Sequence, residues 1–270
     1  MSARKKLPTP PRQPTRFAEL NDVLADLTEQ AGHILGENFV GAYLQGSFAV
    51  GDADLHSDCD FFIPVHGPIT AEQEAGLRAL HAEIPTRDGH WTKHLEGSYP
   101  RLDELRTLNG LGALWLYIDH GWREMQWSTH CNSEVARWSL RERGVVLAGP
   151  DPRSLLDPVP AQALRSRMRE QIPTALNDIL EWTTLDLAWS QRYAVATLCR
   201  MLYTLRTARV ASKKVALNWA SSNLDARWRP LLLQTREDRA RGFDASARPR
   251  PGSIRATLAF AEYARDLAAK

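Results

Sequence analysis

Two aspartates, Asp58 and Asp60, flank Cys59 within the stretch YLQGSFAVGDADLHSDCDFFIPV at residues 43 to 65. Side chains on a β-strand alternate between its faces, so both carboxylates would project to one side and Cys59 to the other. Two hard oxygen donors on one face suit Mg²⁺, which takes one or two carboxylates and leaves its other positions to water and substrate phosphates. Upstream, Gly46 gives backbone room at the end of an apolar run, and Ser47 offers a hydroxyl and an N–H to a phosphate oxygen. Such a set supports metal-assisted handling of a nucleotide. An isolated Asp-x-Asp is more commonly a solvated turn; the Gly-Ser pair beside it is what gives these acids weight. Asp52 and Asp54, in the connecting loop, read as turn formers.

These residues need a sheet to hold them. The chain has 270 residues, 43% hydrophobic and 24% charged, enough for a substantial core in one or two globular domains. Apolar residues from Phe17 to Leu35 recur at helical spacing up to Gly36. The runs FVGAYLQGS and CDFFIPV then read as buried strands forming a hairpin-like pair. A helix over 70–83, a strand in HWTKHLEGSYP, a hairpin over 113–127 and a helix ending at Gly144 complete a mixed α/β half. LAGPDPRSLLDPVP reads as a proline-rich connector, with a boundary near residue 155. Beyond it, residues 161–181, 183–208, 212–223, 228–241 and 252–269 carry helical periodicity, which predicts an α-helical bundle. The expected organisation is a basic arm over 1–16, an α/β domain over 17–155 and a helical domain over 156–270.

Composition excludes several roles. A net charge of +2 supplies no global basic field for nucleic acid or an anionic membrane, and no apolar stretch is long enough to span a bilayer. Residues 1–16 hold Arg4, Lys5, Lys6, Arg12 and Arg16 among prolines, the composition of a disordered arm without the apolar core of a signal peptide. Cys59, Cys131 and Cys199 have no metal-binding spacing and, being odd in number, no disulfide framework. A cytoplasmic protein is the simplest expectation.

LQGS followed after ten residues by DCDFFIPV resembles the signature of the nucleotidyltransferase superfamily, in which Gly-Ser ends one strand and Asp-x-Asp opens the next. The likeness extends over residues 20 to 265, to the aminoglycoside adenylyltransferases of the streptomycin and spectinomycin type. LRERGVVLAGPDPRSLLDPV is similar to that group's interdomain connector, and VATLCRMLYTLRTARVASKKVALNWA to its most characteristic helical segment. The resemblance implies that Asp58 and Asp60 hold metal ions on ATP and that a third carboxylate on a later strand completes the site. Glu96 matches that third position. It also implies that Arg200 and Lys213 bind the triphosphate from a helical domain that closes over the nucleotide. The implied activity is transfer of AMP to a hydroxyl of a small polar acceptor, with Glu96 taking the acceptor proton. Two other readings stay open: nucleotidylation of a protein or nucleic acid, and nucleotide binding without transfer.

The acceptor side is drawn more faintly. Asp186, Ser190, Tyr193, Thr197 and Arg200 follow helical i+4, i+3 spacing and predict one polar stripe on the helix over 183–208. Its Arg200 end would reach phosphates and its Asp186 end a cationic acceptor. Ser190 stands where the streptomycin-modifying members carry an acid, a departure from that group, while Glu181 and Asp186 stand nearby, so the expected acceptor is cationic without being fixed as streptomycin or spectinomycin. Trp115 and Trp122 are candidates for stacking on a sugar or on adenine, although most tryptophans fill core space.

Overall fold

The computed structural model describes residues 13–270, so most of the basic arm lies outside the described residues. Helix α1 (Ala18–Leu35) buries Leu20, Leu24, Leu27, Ala31 and Leu35, the stripe that a 3.6-residue period puts on one face. Strand β1 (Ala42–Leu44), a single turn α2 (Gly46–Ala49) and strand β2 (Cys59–Phe62) follow. Helix α3 (Ala71–Glu83) starts at a reciprocal capping box between Thr70 and Gln73. Strand β3 (Leu95–Tyr99), the short α4 (Leu102–Arg106), strands β4 (Trp115–Ile118) and β5 (Gln126–Ser128), helix α5 (Glu134–Arg143) and strand β6 (Val145–Ala148) complete this half.

The six strands form one mixed sheet in the order β5-β4-β3-β2-β1-β6. Only the β2–β3 pair is parallel. Period-two alternation sorts the side chains: Leu44, Cys59 and Phe61 join the core under α1 and α3, while Tyr43, Phe62, Trp115 and Tyr117 join a second core with Ala136 and Leu140 of α5. β6 departs from the expected connector. Its Val-Val-Leu-Ala run leads straight into Gly149-Pro150, yet Val145 and Val146 pair with Leu44 and Tyr43 and close the sheet edge.

The chain continues through α6 (Pro152–Leu155), α7 (Ala161–Gln171), α8 (Ala175–Leu180), α9 (Ala188–Thr207), α10 (Lys213–Asn223), α11 (Arg229–Asp238) and α12 (Ser253–Ala268). Val195, Leu198, Cys199 and Leu202 of α9 fill the centre of this helical core, and α7, α10 and α12 pack around them. Two expected helices are shorter than their periodicity. Pro173 has no N–H to continue α7, and the run over 161–181 divides there. Residues 183–187 form a turn closed by Thr184, whose Oγ1 accepts from Asp186 N–H at 3.2 Å. Such local side-chain bonds compete with helix, so α9 starts only at Ala188. No helix among the described residues is long and apolar enough to cross a membrane.

Arg137 joins α5 to the segment before β4. It is 1% exposed, and its guanidinium donates to Leu105 O at 3.1 Å, Glu104 O at 2.8 Å and Asn132 Oδ1 at 2.6 Å. It also lies over the Trp115 ring, and burial pulls its pKa down to about 10, which leaves it charged near neutrality. Arg137→Met would strand those carbonyl acceptors in a dry core, at about 1–3 kcal/mol for each buried group left unpaired. The expected outcome is a clear drop in the urea midpoint at unchanged slope, with Arg137→Lys recovering part of it.

Candidate active site

The Gly-Ser turn, the Asp-x-Asp strand and β3 meet at one end of the sheet. Parallel pairing sets Asp60 beside Glu96, partners in register, so both side chains leave the same face. Asp58 precedes the strand by one residue, and Cys59 points into the core as alternation requires. Gly46 is what lets the turn come so close. Its φ is +58°, and a Cβ there would lie 2.0 Å from Asp60 Oδ2. The Ser47 backbone N–H donates to the Asp60 carboxylate, and Gln45 N–H donates to Asp60 O at 2.9 Å.

The antiparallel neighbour extends this row of acids. Gly97 pairs with Ile118, so Asp119, just past β4, comes up alongside Glu96. Tyr117 bridges the two: its hydroxyl lies 3.1 Å from Glu96 Oε1 and 3.0 Å from Asp119 Oδ1. Its single proton serves one of them at a time. His130 stacks on Tyr117 with Nε2 3.3 Å from Glu96 Oε1, and His120 Nδ1 stands 2.5 Å from Asp58 Oδ1. These carboxylates hold both imidazoles above their ordinary pKa. Both contacts to Glu96 fall on Oε1, which leaves Oε2 without a protein hydrogen bond among the described residues.

Across a cavity of about 290 Å³ stand the cations of the helical half. Arg200 of α9 is braced by its Nε donating to Ala211 O at 3.2 Å. Lys213 opens α10, whose Ser212 cap accepts from Val215 N–H, and its ammonium lies 5.2 Å from the centre of the Tyr193 ring. Burial, with Arg200 and Arg239 nearby, pulls Lys213 below the ordinary lysine pKa. Arg239, from the turn after α11, completes the cationic wall. Gly46, Ser47, Asp58, Asp60, Glu96, Arg200 and Lys213 thus all face one cavity.

Other expected residues do not reach it. Ser190 is fully buried, its one hydroxyl proton within reach of both Thr184 O and Leu187 O, so it closes the turn ahead of α9 and cannot touch an acceptor. Asp186 precedes the helix and is exposed beside Thr184. The polar stripe therefore survives at Tyr193 and Arg200, which face the cavity, and fails at its acidic end. Trp115 is core, its indole N–H donating to Glu104 Oε2 at 2.9 Å. Trp122 is exposed on the β4–β5 turn, two residues past His120. Sequence reasoning missed Tyr117, Asp119, His120 and Arg239. The first three were within reach, because a β3–β4 hairpin puts the end of β4 opposite Glu96; Arg239 sits in a charged run that looks like any helix surface.

Among the described residues no three His, Cys, Asp or Glu side chains are grouped closely enough to cage a metal alone. Mg²⁺ does not need such a cage: two carboxylates suffice when substrate phosphates and water supply the rest. The donor set fits that role, being all oxygen and carrying more negative charge than it can comfortably hold. Burial, Glu96 and Asp58 together raise the pKa of Asp60 to about 7.

Residues 154–262 match the family model described as aminoglycoside adenylyltransferase, C-terminal domain. An aminoglycoside (3'') (9) adenylyltransferase of Klebsiella pneumoniae is 37% identical over 97 residues, which is 36% of this chain and 35% of that protein. The chain thus matches about a third of the length of such relatives. A spectinomycin 9-adenylyltransferase of Campylobacter jejuni is 26% identical over 212 residues, covering 76% of this chain and 79% of the relative. A crystal structure of a spectinomycin adenyltransferase from Enterococcus faecialis, with ATP and spectinomycin, shares the fold at a TM-score of 0.65 and 15% identity over 92% of this chain and 99% of that one.

The raised pKa of Asp60 has a measurable sign. Its ordinary value is 3.8, so the proton it retains in the fold stabilises the ion-free protein at low pH, and that contribution is lost as pH rises from about 4 through 7. A divalent cation bound there would take over from the proton. Added Mg²⁺ should therefore raise the melting temperature more at pH 8 than at pH 5, and Asp60→Asn should abolish that difference; thermal scans with and without the ion measure both.

Proposed function

We propose that this chain, whose residues 154–262 match the model of the aminoglycoside adenylyltransferase C-terminal domain, transfers the adenylyl group of ATP to a hydroxyl of a spectinomycin-like aminocyclitol. The observation that carries this reading is the division of one cavity into an acidic wall, Asp58, Asp60 and Glu96, and a cationic wall, Arg200 and Lys213. The halves over 17–155 and 156–270 then act as two domains with the reaction between them.

Arg200 and Lys213 hold the β- and γ-phosphates from the helical side, and Ser47 contacts a phosphate oxygen from the Gly46 turn. Asp58 and Asp60 would hold a Mg²⁺ ion, and the chemistry it would supply there is charge neutralisation at the phosphates. Glu96 accepts the proton of the acceptor hydroxyl, with Tyr117 and His130 orienting its carboxylate. The acceptor oxygen forms its bond to the α-phosphorus, the bond from that phosphorus to the bridging oxygen breaks, and the electron pair leaves with pyrophosphate.

The acceptor's chemistry follows from where acids are missing. The helical side of the cavity presents Tyr193, Arg200, Ser212, Lys213, Arg239 and Phe243, with no carboxylate. On the sheet side Glu96 lines the cavity and is the acid nearest an amine there, with Asp119 behind it across Tyr117. A compact acceptor with few positive charges suits this better than one carrying several guanidinium groups. The spectinomycin enzymes among the relatives support the same class.

Pyrophosphate release from ATP and Mg²⁺ across spectinomycin, streptomycin, a protein and an RNA tests the reading. Turnover is expected with spectinomycin above all. Asp58→Ala and Asp60→Ala should each lower it by about three orders of magnitude or more, and Glu96→Gln should collapse kcat while the KM for ATP changes little. Near-native turnover in either aspartate variant at saturating Mg²⁺ would sink the assignment.

A further inference from the structure

The loop aspartates join the two halves of the molecule. Asp52 Oδ2 accepts from the backbone N–H of Lys214, in the first turn of α10, at 2.9 Å. It also accepts from Arg239 Nη1 at 2.9 Å, and Asp54 Oδ2 stands 3.6 Å from Arg239 Nη2. The Asp52 side chain is 15% exposed and that of Arg239 is 21% exposed, so this pair is largely shielded from bulk water. The same loop makes a close backbone contact: Gly242, at φ +56°, lies so near His56 that a Cβ would come within 2.5 Å of its ring.

We propose that Asp52 is a positioning residue that registers the cationic wall of the nucleotide site against the Gly46-Ser47 turn. The argument rests on the reading of that wall as a triphosphate site. Asp52 follows the turn closely, and its own N–H donates to Ser47 O at 3.2 Å, so its carboxylate is fixed relative to the phosphate-facing Ser47. From there it grips two places on the helical half. Holding the Lys214 N–H fixes the first turn of α10, and with it the adjacent Lys213. Holding the guanidinium of Arg239 fixes a third cation that also faces the cavity.

Electrostatics favours this arrangement over an incidental surface pair. A carboxylate at a helix N-terminus meets free N–H groups and the positive end of the dipole. An unpaired carboxylate lining a phosphate cavity would repel the ligand; with Arg239 against it the charge is balanced. Arg239 adds a cation to the phosphates only while something holds it at the wall, and among the described residues Asp52 and Asp54 are its salt-bridge partners. Sequence reading makes these aspartates turn formers, which Asp54 also is, since its Oδ1 accepts from His56 N–H at 2.9 Å.

Affinity for Mg²⁺·ATP, measured by calorimetry on the full chain without acceptor, tests the proposal. Asp52→Ala should weaken binding about tenfold, and Asp52→Asn, which keeps an acceptor for the Lys214 N–H but loses the charge on Arg239, should fall between. In turnover the same loss should sit in the KM for ATP, with kcat and the acceptor KM within about threefold of the parent. Arg239→Ala should weaken binding too, and adding Asp52→Ala to it should cost less than Asp52→Ala costs alone. Failure of the parent protein to bind Mg²⁺·ATP would overturn the proposed function itself. Parent binding with unchanged affinity in both Asp52 variants, or strictly additive losses with Arg239→Ala, would overturn only the positioning role.

Discussion

The structure turns on two carboxylates that the backbone forces together. Asp60 and Glu96 are partners across the single parallel strand pair of an otherwise antiparallel sheet, so pleat and register leave them no way to face apart. Burial opposes ionisation of Asp60 most, and the like charge of Glu96 adds to the effect, so its pKa is pushed up from the ordinary carboxylate range. A site strained in this way is short of positive charge. Three neighbours supply some: His120 against Asp58, His130 against Glu96, and Arg200 across the cavity, whose charge works against the rise at Asp60.

Those charges come from different parts of the chain, which explains the two-part architecture. The sheet offers the acids from strand ends, where side-chain direction is set by alternation. The helical half offers the cations from α9, the start of α10 and the turn after α11. Neither half holds a balanced site. A polyanion such as a triphosphate is favoured by the cations and repelled by the acids, and a metal ion reverses both preferences; together they fit where either alone would not. The Asp52 clasp makes the same point within the protein, since a carboxylate from the acidic half is satisfied only by groups from the cationic half.

What sequence could reveal depended on how locally a feature is determined. The Gly46-Ser47 turn and the Asp58-x-Asp60 strand are short-range: a glycine where φ must be positive, then acids in a period-two run, and they lie in the structure as that pattern requires. The helical segment from Arg200 to Lys213 was legible through family likeness, and both residues face the cavity. Strand β6 was not, because an apolar run before Gly-Pro looks the same whether or not a strand edge awaits it. Ser190 shows the sharper limit. Helical spacing aligned it with Arg200, and it does lie in α9, but the turn over 183–187 covers that end of the stripe and engages the serine hydroxyl with its own carbonyls. Trp115 failed for a different reason, its burial being decided by β4 lying against α5, a tertiary fact absent from its neighbours in sequence.

On the proposed reading the two substrates are specified by different kinds of structure. Contacts to the nucleotide would come from strand register, a glycine turn, packed α9 and the Ser212-capped start of α10, which tolerate little variation in geometry. Contacts open to an acceptor would come from His130 near the β4–β5 hairpin, from Tyr193, and from Phe243 beside Gly242. Loops and turns accept substitution more readily than packed elements. An exposed Trp122 and Phe243 and an acid-free helical wall can therefore differ among relatives while the Asp58, Asp60 and Glu96 arrangement stays fixed by the sheet. On this view a change of acceptor requires remodelling chiefly the rim of the cavity, because the acids at its floor are placed by strand register and Glu96 would meet any acceptor at the same point, its reacting hydroxyl.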